Sequence, residues 1–96
     1  MARVVVAERA RTDLTQLVAT RSLPAGARDR VRRSLSQLET FPLAGRRLNG
    51  RWRGFRAVIG PRPWMILVYQ YDERTDTVTI VAIHDARTAR AATSER

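Results

Sequence analysis

Ninety-six residues suffice for one small hydrophobic core and not for two, so a single domain spanning residues 1–96 is expected. The absence of cysteine excludes a disulfide framework and a thiolate metal site, and a lone histidine cannot assemble an imidazole site by itself. The formal charge is +9, its eighteen basic residues are all arginine, and eleven of them lie between Arg21 and Arg62 against only Asp29 and Glu39. A charge polarised in this way suits a polyanion such as nucleic acid, or an acidic protein that covers it. The apolar stretch at the N-terminus is too short for a signal sequence and no run approaches membrane-spanning length, which predicts a cytoplasmic protein without membrane association.

Val4, Val5 and Val6 form a β-branched run that predicts a strand at or near a sheet edge. The period then changes: Ala10, Leu14, Leu17 and Val18 share one helical stripe, which predicts a helix over residues 9–20. Ser22 and Pro24 punctuate the chain, with Ser22 as cap and Pro24 in the first turn of a second helix. Its stripe is Ala27, Val31, Leu35 and Leu38, and Arg28, Arg30, Arg32 and Arg33 lie around it. Phe41-Pro42 ends this helix, because the residue before proline is pushed out of helical geometry. Residues 43–50 read as a turn-rich connector.

Residues 51–59 predict a strand with Phe55, Ala57 and Ile59 on one face, Trp52, Arg56 and Val58 on the other, and Gly54 as a bulge that shifts the phase. Gly60-Pro61-Arg62-Pro63 closes a hairpin onto residues 64–69, an unbroken apolar-aromatic run suited to a central strand buried on both faces. Turn residues 72–76 then lead into the β-branched residues 77–83, a second hairpin. Beyond His84 the tail is rich in alanine and arginine; a short helix over residues 86–92 and a loose end over 88–96 are expected. The sum is a two-layer α+β domain of order β-α-α-β-β-β, a helical hairpin on a mainly antiparallel four-stranded sheet.

This order, together with Phe41-Pro42, Gly45-Arg46, Val68-Tyr69, Val78-Thr79-Ile80 and the closing Ile83-His84-Asp85-Ala86-Arg87, resembles the RelE/ParE superfamily of toxins from bacterial toxin–antitoxin modules over residues 3–88. The resemblance implies a small basic toxin, without cofactor, held in a hetero-oligomer by an antitoxin whose extended C-terminal segment packs on it. RelE-like members cleave mRNA in the ribosomal A site, whereas ParE-like members share the fold and poison DNA gyrase without a nuclease site.

Cleaving RNA through its own 2′-hydroxyl needs a base, cations for the charged phosphorane and an acid for the departing oxygen. Under a RelE-like reading, Arg53, Arg56 and Arg87 are the candidate cations and His84 the candidate acid or base, since a guanidinium stays protonated at neutral pH. Against it, no tyrosine or histidine follows Arg87, so the C-terminal catalytic aromatic of RelE-like enzymes has no counterpart. The closing motif is more similar to the His-Gly-Ala-Arg of ParE-like chains, with Asp85 in place of glycine as a carboxylate able to neutralise Arg87. The resemblance therefore favours a gyrase-binding toxin, with a ribosome-dependent mRNA endonuclease as the alternative. Outside those roles, His84 reads as a strand-end residue bonded to backbone, Tyr69 and Tyr71 as packing residues, and Trp52 and Trp64 as core or antitoxin-groove residues or as base-stacking rings.

Overall fold

The computed structural model describes residues 1–20, 23–24 and 26–87. The chain runs β1 (Arg3–Val6), α1 (Glu8–Ala19), α2 (Ala27–Thr40), β2 (Arg46–Arg47), a 3-10 turn (Gly50–Trp52), β3 (Arg56–Ile59), β4 (Met65–Asp72) and β5 (Thr77–Asp85). After the helices it enters the sheet at the edge opposite β1 and works back through antiparallel neighbours, so that β5 ends parallel to β1 in the order β1-β5-β4-β3-β2. No helix among the described residues is long and apolar enough to cross a membrane.

The apolar run does form the central strand, and its burial explains the position. Register places Met65, Leu67 and Tyr69 on one face beside Val58, Ile83 and Ile80, and Ile66 and Val68 on the other beside Ile59, Ala57, His84 and Ala82. The first face packs against Ala10 and Leu14 of α1 and against Val31, Leu35 and Leu38 of α2, the stripes that helical periodicity marks out. Ala57, Val68 and Ala82 on the second face are also buried but lie outside that cluster. Helices cover one face only, so the second must be shielded by another segment.

Four expectations need correction, and a fifth falls mostly outside the described residues. The sheet has five strands, because Arg46 and Arg47, assigned to the connector, pair with Ala57 and Arg56. The strand expected from residue 51 begins at Arg56: Gly50 and Gly54 adopt φ of +65° and +93°, left-handed conformations that glycine supports without a Cβ clash, and they turn the chain before it pairs. The register irregularity falls instead between Val68 and Tyr69. α2 starts at Ala27 after Gly26, with no side-chain cap, so Pro24 precedes the first turn and contributes its carbonyl to the Ala27 N–H at 3.0 Å; Ser22 lies outside the described residues. Ala86 and Arg87 form a turn, and the rest of the expected 86–92 helix, like the tail 88–96, lies outside the described residues.

β1 covers only the first half of β5, from Thr77 to Ile80. Beyond it the edge of β5 is taken over by α1, where the Asp13 carboxylate accepts the Ile83 N–H at 3.0 Å. A strand edge left without a partner carries unsatisfied backbone groups, and this carboxylate satisfies one of them.

Candidate functional site

Arg56 lies opposite Tyr69 in the β3–β4 pairing, and both side chains hold the connector. The Tyr69 hydroxyl donates to the Pro42 carbonyl at 2.8 Å and accepts the Gly45 N–H at 2.8 Å. Arg56 donates through Nη1 to the Gly45 carbonyl at 2.8 Å and, at 3.4 Å, to that of Leu43. A Cβ on residue 45 would sit 2.8 Å from the Ala57 carbonyl oxygen and from Cε1 and Oη of Tyr69, so only glycine lets the backbone approach this closely. Burial pushes the Tyr69 phenol above its ordinary value, against smaller opposing effects of the Gly45 N–H and the Arg56 charge. A neutral hydroxyl that both donates and accepts is what the clip requires. Phe41-Pro42 and Gly45-Arg46 are thus two ends of one loop fastened to the sheet.

His84 lies opposite Ile66, on the face without helices. The Trp52 ring meets it edge-on at 5.7 Å between centroids and meets Phe55 at 5.5 Å and 90°. The 3-10 turn therefore brings Trp52 onto the face where Ala57, Val68 and Ala82 are buried. The imidazole makes no hydrogen bond among the described residues, so the backbone bond expected for a structural role is replaced by ring packing. Burial lowers its pKa from 6.5, the Arg9 charge lowers it further, and Asp13 opposes both.

A proton thus binds more weakly to His84 in the folded chain than in the unfolded chain. The associated stability is fully present above the ordinary value of 6.5 and is lost as pH falls through the lower folded value. Denaturant unfolding should show stability falling as pH is lowered through and below 6.5. That loss should be smaller in His84→Gln, and an unchanged pH dependence would remove this account.

Arg87 is held by Asp85. Its Nε and Nη2 donate to Oδ1 and Oδ2 at 3.0 and 2.9 Å, its backbone N–H also donates to Oδ1 at 2.9 Å, and its guanidinium lies 3.7 Å over the Trp64 ring. The Asp85 hydrogen bond raises the Arg87 pKa further. Asp85 is 8% exposed, so its carboxylate is fixed and neutralises the guanidinium. Tyr71 packs at the margin of the helix-side core and donates to Asp76 at 2.7 Å, the hairpin residue at φ of +51°.

Arg53 is exposed and shares a cleft of about 370 Å³ with Arg47, Asn49, Phe55 and Arg56. The four candidate residues accordingly fall into two groups: Arg53 with Arg56 at the β3 edge, and His84 and Arg87 towards the end of β5. Ile66 and Tyr69, the partners of His84 and Arg56, are three positions apart on β4. That separation is roughly 10 Å along the strand and puts the two side chains on opposite faces. Arg47 was not a candidate, because as part of a connector it had no assignable direction.

Solved structures share this architecture. The metal-bound toxin from Helicobacter pylori superposes with a TM-score of 0.68 at 22% identity, over 92% of this chain and 98% of that one. The toxin–antitoxin complex RelBE2 from Mycobacterium tuberculosis gives 0.62 at 23% identity, over 88% and 96%. Escherichia coli RelE in complex with an antitoxin RelB peptide gives 0.65 at 17% identity, over 96% and 93%. No curated protein matches the sequence. The fold is that of the RelE/ParE-type toxins. The family model for the ParE toxin of the type II toxin-antitoxin system parDE matches residues 4–90, and the chain belongs to that family as the toxin of a type II toxin–antitoxin system.

Proposed function

We propose that this toxin is a ParE-like inhibitor that binds DNA gyrase and carries out no bond-breaking step of its own, and that a cognate antitoxin silences it in the cytoplasm. The observation that supports this reading is the engagement of the groups an RNA-cleaving site would need. Arg56 is bound to two connector carbonyls, Arg87 is neutralised by Asp85, and His84 is packed against Trp52 on the opposite face from the Arg56 side chain. A general base, a general acid and the phosphate-stabilising cations have to surround one scissile phosphate. This arrangement separates them.

Purified toxin is expected to depress gyrase supercoiling, or to accumulate cleaved complexes, at concentrations that leave message on programmed ribosomes intact. Unaffected gyrase removes the proposal. A-site cuts that vanish on His84→Ala or Arg87→Ala would establish the ribosome-dependent mRNA endonuclease instead.

A further inference from the structure

We infer that the β2 edge and the turn after it bind the phosphate backbone of duplex DNA, with Arg47, Asn49 and Arg53 around the cleft as the contacting groups. Between Glu39 and Asp72 the chain has no acidic residue and six arginines. Arg46, Arg47, Arg51 and Arg53 are exposed, and none makes an ion pair or a side-chain hydrogen bond among the described residues. Elsewhere Arg28 donates to Thr15, and Arg32, Arg74 and Arg87 pair with Asp29, Asp72 and Asp85; the exposed Arg3, Arg9, Arg11, Arg30 and Arg33 make no such bond among the described residues but lie in segments that also carry Glu8, Asp13, Asp29 and Glu39. A local excess of uncompensated cations is what a polyanion selects, because each phosphate contact releases condensed counterions.

Geometry narrows the ligand. Arg47 pairs with Arg56 across β2 and β3, so their side chains share a face, and Arg53 reaches the same cleft from the turn. Arg56 is held through Nη1 by the Gly45 carbonyl and lines the cleft as a fixed neighbour, so the contacting groups are Arg47, Asn49 and Arg53. Arginine forks and an asparagine amide are common phosphate contacts. Single-stranded nucleic acid is instead held by exposed rings on which bases stack. The rings beside this cleft are engaged, Trp52 with Phe55 and with His84. Backbone contact to a duplex needs no such platform.

The test is a salt titration of toxin on a short labelled duplex, followed by fluorescence anisotropy, with no gyrase present. A failure here therefore leaves the supercoiling result untouched. The double variant R47Q/R53Q removes two exposed guanidiniums with no side-chain bonds, and R30Q/R33Q removes two from α2 as a charge-matched control. Binding by the unaltered toxin should weaken with salt. In the cleft variant the log-log slope should become shallower by about 1.8 and affinity near 0.1 M salt should fall about tenfold or more, with less than half that change in the control. Equal effects of the two variants overturn the assignment, as does the absence of salt-dependent duplex binding, which would leave the cleft to an acidic protein. Tighter binding to single-stranded RNA of equal length would also overturn it.

Discussion

Gly45→Ala is expected to lower the melting temperature by roughly 10–20 °C, the product of about 2–4 kcal/mol and the usual sensitivity of a domain of this size. The added methyl would stand 2.8 Å from the Ala57 carbonyl oxygen and from two atoms of Tyr69. Neither neighbour can yield freely: Ala57 lies within β3, and Tyr69 is fully buried in the central strand. Relief by rotation of the tyrosine would break its bonds to Pro42 and Gly45 and leave buried polar groups unpaired. In a Tyr69→Phe background the same substitution should cost less, since the hydroxyl is one of the three crowded atoms, yet not nothing, since the other two remain. Thermal unfolding of the two single variants and the double variant measures this coupling. A Gly45→Ala protein as stable as the parent would show that the clip does not constrain the loop.

Trp52→Ala should cost roughly 2–3 kcal/mol, below the range for a fully buried tryptophan because this ring is half-buried. It should also move His84. The ring contributes to the burial that lowers the imidazole pKa, so its removal should raise the His84 value towards 6.5, readable from the pH dependence of its NMR resonances. Phe55 should lose its edge-on partner at the same time. A large stability loss with an unmoved His84 titration would mean that other atoms shield the imidazole, and a small loss would mean that Ala57, Val68 and Ala82 owe their burial to another segment.

The two substitutions probe opposite faces of one sheet and different fates for candidate side chains. Arg56 and Tyr69 fasten the connector from the helix side, whereas Trp52 crosses the other face to His84. At the surface, Arg46, Arg47, Arg51 and Arg53 form a local group of uncompensated charge in a stretch without acidic residues. Under the proposed gyrase-binding reading, outward charge gives contact area and faster encounter without a catalytic constellation.

Much of the architecture is legible before folding is considered. Helical stripes at Ala10/Leu14 and at Val31/Leu35/Leu38, the apolar run of β4 and the β-branched run of β5 are local patterns, because one period already states which side chains must leave water. The concentration of arginine between Arg21 and Arg62 is likewise a property of the chain. Asp85 could be recognised beside Arg87 because two residues in sequence keep a carboxylate within reach of a guanidinium. Partners distant in sequence were decided only by the tertiary structure. β2 exists because Tyr69 and Arg56 hold a loop more than ten residues away, so that Arg46 and Arg47 meet β3. The ring over His84 comes from a turn made by two left-handed glycines, and Arg56 and His84 are placed on opposite faces by strand register. Residue type states which chemistry a side chain can supply, and register and long-range hydrogen bonds determine whether that chemistry is left available.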